Sequence, residues 1–375
     1  MRHVLLSIVG LAVVVTIGIA TVLAAEPAEI GPAPLPDSPF QEEALFGESS
    51  VGDDAGVDQC AGDCGSCDCC LWRPGWTVTA GAVFLHRSDA PDRVMVEDAY
   101  TGEELINTSD LNLDWGTGPR VDIVRHLNCD WDLQALFFCV DNWHAQAWTE
   151  SPSGLIIPLF DRAFTFDAIK AHYRSRLYSL EFNVRKAVCY RQYPCAQAGC
   201  GDDCCEEDCC QPCCCQPWLR VLAGFRWMEL HDQAFFWSRY TVHEVDPFQW
   251  GKFNCDNSLH GFQLGAEAVL WDRGGRLQVD GFVKGGIFGN RVHRTGFATG
   301  DLGTRNIGET HCRTAFAGEI GLTATYRLTR RLSAMAGYQA LWIDSVALAP
   351  MQKKDEFIYD TAFYHGALVG VQGRW

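Results

Sequence analysis

Beyond its first segment the 375-residue chain has no apolar run approaching the roughly 18 residues that cross a bilayer as a helix, which excludes a polytopic helical membrane protein. It also lacks basic character. Thirty Lys and Arg face 47 Asp and Glu, for a net charge of −17, and a basic nucleic-acid binder is excluded. Catalytic signatures are missing: there is no G-x-S-x-G, no H-E-x-x-H and no Gly-rich phosphate loop followed by Lys, and the 11 His are dispersed. No C-x2-C pair is followed by His, as covalent haem attachment requires. The paired acids lie in polar stretches without the apolar surroundings that tune a carboxylate for catalysis. Neither an enzyme nor a cofactor is expected.

What is plentiful is glycine (36), cysteine (19) and aromatic residues (12%), a composition that leans toward strands and turns. Charge and sulfur are unevenly placed. Residues 26–70 carry eleven acids and residues 196–216 five more, with no Lys or Arg in either segment, and the two together hold 13 of the 19 cysteines. Apart from these segments and Arg2, the body has a net charge of only −2. Residues 1–25, with Arg2, an apolar stretch and the small pair Ala24–Ala25, read as a secretory signal peptide, the alternative being an uncleaved anchor. No Cys closely follows that stretch to accept a lipoprotein lipid. Residues 26–71 read as an acidic, Cys-rich linker, and 72–375 as one domain interrupted by a Cys-rich loop at about 189–216.

From residue 71 onward the clear period is 2. In Ala315–Leu328, Phe316, Ile320, Leu322 and Tyr326 share one face, while Glu319, Thr323, Thr325 and Arg327 occupy the other. Leu332–Trp342 repeats the pattern after a short polar turn, predicting a hairpin. Similar stretches lie at Trp76–His86, Pro119–His126, Trp131–Trp143, His172–Lys186, Trp218–Leu230, Leu259–Trp271, Leu277–Asn290 and Tyr364–Trp375. That makes ten candidates, with extra strands at Phe164–Lys170 and Phe235–His243 as options. Alternation alone fits a soluble sandwich or a membrane barrel. Strand lengths near a tilted crossing of about 9–11 residues, and Trp and Tyr at strand ends, favour an all-β, antiparallel transmembrane β-barrel of roughly 10–12 strands in the outer membrane. The last strand places Val369, Val371 and Trp375 on one face, like the C-terminal signal read by the outer-membrane barrel assembly machinery.

Several blocks carry a resemblance. The run from Leu259 to Glu267 with Trp271-Asp272-Arg273, then Lys284–Asn290, Ala315–Leu322 and Ala336–Trp342, preceded by Ser179–Arg185 and Leu222–Trp227, resembles the planctomycete outer-membrane beta-barrel porin family. The resemblance covers about residues 72–375 and implies a porin-like barrel; transport is itself an inference within that family. The Cys-rich insertion departs from it.

With the apolar faces toward lipid, the lumen receives Glu181, Asn183, Arg185, Arg220, Arg226, Gln263, Glu267, Asp280, Lys284, Glu319 and Arg327. These charges of mixed sign could select solutes in an open pore, or pair across a narrow barrel and fill it. The leading function is porin-like passage of small hydrophilic solutes; the alternative is a structural envelope protein with a filled barrel as anchor and Cys-rich segments cross-linking neighbours. Its partners would be outer-membrane lipid, the assembly machinery, and further copies or disulfide-linked neighbours. The cysteines are Cys60, Cys64, Cys67, Cys69 and Cys70, then Cys195, Cys200, Cys204, Cys205, Cys209, Cys210, Cys213, Cys214 and Cys215. In an oxidising envelope they read as disulfides, within or between chains, over a zinc or soft-metal cluster. The adjacent pairs point to intermolecular links. Cys129 and Cys139, ten residues apart on about one strand, are too distant to bond each other.

Overall fold

The computed structural model describes residues 75–128, 130–157, 166–192, 215–239, 248–272, 275–300, 303–352 and 357–375. Twelve strands follow in chain order: β1 (Trp76–Arg87), β2 (Val94–Asp98), β3 (Glu104–Asn107), β4 (Trp115–His126), β5 (Trp131–Ile156), β6 (Phe166–Gln192), β7 (Cys215–Arg239), β8 (Phe248–Asp272), β9 (Leu277–Gly300), β10 (Gly303–Arg327), β11 (Leu332–Ala347) and β12 (Tyr359–Arg374). All pairings are antiparallel. Ten of these strands close a barrel, because β1 pairs with both β4 and β12 and β5 pairs with β6, while the β2–β3 hairpin leans on the far end of β5. This is the transmembrane β-barrel expected, and its ten staves correspond to the ten alternating stretches. Phe164–Lys170 and Phe235–His243 add no separate strands; their described residues are the outer ends of β6 and β7.

The wall is uneven in height. Strands β5 to β10 are 24 to 27 residues long, whereas β1 and β4 have 12 and β11 and β12 have 16. A bilayer takes about 9–11 tilted residues, so the tall strands carry roughly 13–18 residues beyond the lipid. They extend at one end only. The opposite end is where β4 leads to β5, β8 to β9 and β10 to β11 over connections of only four residues in the sequence, and there the backbones of Trp76 and Trp375 exchange hydrogen bonds of 2.9 and 3.1 Å. The chain between β6 and β7 also leaves and re-enters at that end, with Gln192 opposite Cys215. Both cysteine-rich segments therefore join the barrel at one rim. The loop is narrower than the sequence suggests, since residues 189–192 and 215–216 belong to strands.

The period of 2 continues through the tall strands, but the polarity of the two faces reverses. On β6 the outward residues Val184, Phe182 and Leu180 are apolar and Arg176, Arg174, His172 and Lys170 are not; inward, Arg185, Asn183 and Glu181 give way to Leu177, Tyr173 and Ala171. On β8 outward Leu264 and Phe262 are followed by Ser258, Asp256, Asn254 and Lys252, while inward Glu267 and Gln263 are followed by Leu259, Cys255 and Phe253. The reversal runs along paired residues from Leu180 to Trp227, His260, Gly289 and Thr314. Below this line lipid solvates the outer surface and the polar groups turn inward. Above it water does, and the barrel packs an apolar core like that of a soluble protein, including Phe138, Trp143, Leu230, Phe288 and Ile343. Strand glycines allow the staves to approach closely: a Cβ on Gly224 would lie 2.2 Å from the carbonyl of Phe182, and one on Gly337 2.4 Å from that of Leu322.

The outer end is capped from within. After Ile343 the register of β11 breaks, and Ser345, with φ 61°, turns the chain inward. A 3-10 turn at Ala349–Met351 then packs on β7 and β8, across the barrel from β11. Asn257 secures this segment by donating to the carbonyl of Ala347 at 2.9 Å and accepting from its amide at 2.8 Å, and Asn290 donates to the carbonyl of Ser345 at 3.0 Å. Beside it, the Asp98 carboxylate of the β2–β3 hairpin accepts from the hydroxyls of Ser151 (2.6 Å) and Ser153 (2.5 Å) and from the amides of Tyr100 and Thr101 (both 2.9 Å). These four bonds, led by Ser151, hold the acid well below the usual carboxylate range.

Candidate functional site

The eleven residues expected to face the lumen all lie on its side of the wall: Glu181, Asn183 and Arg185 on β6, Arg220 and Arg226 on β7, Gln263 and Glu267 on β8, Asp280 and Lys284 on β9, Glu319 and Arg327 on β10. They fall into two groups. Glu181, Asn183, Arg226, Gln263, Lys284 and Glu319 form a bridge across the middle of the lumen. Glu181 meets Lys284 at 3.0 Å and Arg226 at 3.4 Å, and Arg226 meets Glu319 at 2.6 Å. In the wall β6 is three strands from β9 and β7 three from β10, so Glu181–Lys284 and Arg226–Glu319 span the interior, while Glu181 and Arg226 face each other on the neighbouring strands β6 and β7. Gln263 donates to Glu181 and to Asn183, both at 2.7 Å, and Asn183 donates to Gln134 at 3.1 Å. On the other side Arg120 of β4 donates to Gln339 of β11 at 3.2 Å, again across three strands. The four charges sum to zero. Their exposures are 0% for Glu181, 1% for Glu319, 2% for Arg226 and 4% for Lys284.

Arg185, Arg220, Glu267, Asp280 and Arg327 surround a cavity of about 390 Å3 on the side of the bridge nearer Trp76 and Trp375, with Arg120, Asp122, Asp272 and Arg374. Arg185 is held by Asp132 at 3.1 Å and Glu267 at 3.0 Å, and Asp132 also meets Arg220 at 3.3 Å and His126 at 2.6 Å. This vestibule is an accessible, charged cavity, whereas the bridge is buried.

Sequence reading missed a second bridge above the first. Arg87 of β1, 2% exposed, forms a two-pronged pair with Asp232 of β7 at 2.8 and 3.0 Å and donates to the hydroxyl of Ser175. Asp232 also accepts from Tyr173 at 2.5 Å and from Ser175 at 2.7 Å, and the guanidinium lies over the rings of Tyr173 and Tyr364. These polar residues sit in the half of the barrel where the inward face is mostly apolar, so only the lone inward Arg and Asp on otherwise apolar faces signalled them. Asp122, Asp132, Arg120 and Arg374, which the sequence reading did not single out, follow the same alternation on β4, β5 and β12.

Val369, Val371 and Trp375 share the outward face, on β12 and just past its end, where β12 pairs with β1. Cys60, Cys64, Cys67, Cys69, Cys70, Cys129 and the run from Cys195 to Cys214 lie outside the described residues, and Cys215 opens β7. Among the described residues Cys139, Cys189, Cys255 and Cys312 are thiols, and no group of three or more His, Cys, Asp or Glu is arranged to hold a metal ion.

No family model and no curated protein matches the chain. Among solved structures it is similar to the outer membrane protease OmpT of Escherichia coli (7% identity, 80% of this chain and 96% of that one, TM-score 0.41). It is also similar to the translocator domain of the autotransporter NalP of Neisseria meningitidis (12% identity, 80% and 89%, TM-score 0.35). A third is a deletion mutant of TodX, a monoaromatic hydrocarbon channel (9% identity, 81% and 91%, TM-score 0.29). At these identities the likeness is one of general fold alone.

Proposed function

We propose that this protein is a sealed outer-membrane barrel that serves as an envelope anchor, in place of the open pore that a charged lumen first suggests. The observation that carries this reading is the buried, charge-neutral bridge of Glu181, Lys284, Arg226 and Glu319. An aqueous path would need these bonds replaced by water along the whole cross-section. Ten strands also make a barrel closer to the side-chain-filled size of about eight than to the open 16–18 of porins. The outer-membrane location is supported by the apolar belt, the signal-like residues 1–25 and the aromatic last strand, which would also present Val369, Val371 and Trp375 to the assembly machinery.

In such barrels the short turns face the periplasm. The tall β5–β10 wall then stands outside the cell, and both cysteine-rich segments start from the periplasmic rim, where disulfides to further copies or to envelope neighbours suit an anchor. Membership of the planctomycete porin family belongs to the same proposal, supported by matching blocks that fall on the lipid-crossing parts of β6 to β11. The reading is non-catalytic. Proteoliposome swelling in small sugars, run beside non-reducing electrophoresis, tests it. The anchor predicts no swelling and reducible high-mass multimers, and swelling at porin-like rates would return the protein to the solute-passage reading.

A further inference from the structure

We propose that the acidic N-terminal segment, residues 26–70 of this chain, seats in the arginine-lined vestibule. This goes beyond the anchor reading and stands whether or not the barrel conducts. The vestibule of about 390 Å3 is lined by six Arg and Lys side chains against four carboxylates, with the buried Asp132 and Glu181 as further counter-charges to Arg185, Arg220 and Lys284, so the excess of positive charge lies toward the mouth and on the rim. Its deeper bases are engaged, Lys284 with Glu181 and Arg185 with Asp132 and Glu267. Toward the mouth the balance is looser: Arg327 reaches Asp272 only at 3.5 Å, and Arg374 donates to the neutral Gln372 at 3.0 Å. On the rim just outside, the exposed Arg276, Arg330 and Arg331 extend the positive field.

The chain supplies the complementary charge at the same place. Residues 26–70 hold eleven carboxylates and no base, and they lead directly into Trp76, whose backbone is bonded to Trp375 at this rim. Asp68 and Asp63 precede Trp76 by 8 and 13 residues. At about 3.3 Å per residue these spans reach about 26 and 43 Å. Ten strands spaced about 4.8 Å apart and tilted about 40° enclose a mouth roughly 20 Å across, so both acids can reach every part of it. Such a short tether holds them at an effective concentration on the order of millimolar. Residues 196–216 leave the same rim with only five acids, which makes them the weaker occupant.

The test uses the full mature chain in micelles, with the photo-cross-linking residue benzoylphenylalanine at Gln278, a lining position near the mouth. We expect cross-links to peptides from 26–70, with a yield that falls several-fold between 0.1 and 1 M NaCl as the screening length shrinks from about 10 to about 3 Å. Asp58→Asn, Asp63→Asn and Asp68→Asn together should lower the yield by a similar factor. These changes lie outside the barrel, and an unchanged heat-modifiable band would verify that it still folds. Cross-links only within the barrel or only to 193–214, or a yield indifferent to salt and to the triple substitution, would overturn the proposal. So would tight calorimetric binding of inorganic pyrophosphate to the unaltered chain, which would mark the vestibule as a site for a diffusible anion.

Discussion

Replacing Glu181 with Gln keeps the volume and one acceptor but removes a charge from the centre of the lumen. Glu181 has no exposed surface and faces two cations, Lys284 at 3.0 Å and Arg226 at 3.4 Å, which the variant would leave with Glu319 as their one counter-charge. Breaking a buried ion pair on one side typically costs about 3–5 kcal/mol, because the surviving charge is buried without compensation. The assay is urea unfolding in micelles, followed by Trp fluorescence and the heat-modifiable band. Glu181→Gln should lose about 3–5 kcal/mol. Glu181→Gln with Lys284→Met restores neutrality with an apolar side chain and should recover most of that loss. A single variant that loses less than about 1 kcal/mol, the range of exposed pairs, would refute the reasoning, as would a double variant no better than the single.

Three further outcomes are expected. Asp232→Asn leaves Arg87, 2% exposed, without its counter-charge and should cost about 3–5 kcal/mol in the same unfolding assay. Ser345→Val, which places a β-branched residue at φ 61°, should cost about 1–2 kcal/mol and raise protease access to the inward segment after β11, whereas Ser345→Gly should be close to neutral. The lowered pKa of Asp98 means that the stabilisation from its clamp on the β2–β3 hairpin is complete above the unfolded carboxylate pKa of about 3.9 and is lost progressively as the pH falls from there toward the lower folded-state value. Hydrogen exchange of residues 94–107, corrected for intrinsic rates, should stay slow at about pH 5–7 and quicken toward about pH 2–3, and Asp98→Asn should abolish this dependence.

The lipid-crossing half of the barrel was legible because its two faces differ consistently. Leu180, Phe182 and Val184 against Glu181, Asn183 and Arg185 suffice to set the phase of β6, and the same holds on β8 and β9. The outer half was not. At Leu230 on β7 and Asn290 on β9 the alternation continues with its polarity exchanged, which a search for one constant apolar face reads as the end of the strand. The mixed charge of the lumen was also apparent, but its pairing was not, since Glu181 with Lys284 and Arg226 with Glu319 depend on which strands oppose each other once the barrel closes. The β11–β12 segment left no local signal, because its anchors are the side chains of Asn257 and Asn290 on distant strands.

The most direct test of a sealed lumen is the ion current through the purified protein in a planar bilayer at 1 M KCl. The bridge of Glu181, Lys284, Arg226 and Glu319 predicts no steady conductance step for the unaltered chain and brief openings for Glu181→Gln. A stable, ohmic step from the unaltered protein would contradict it.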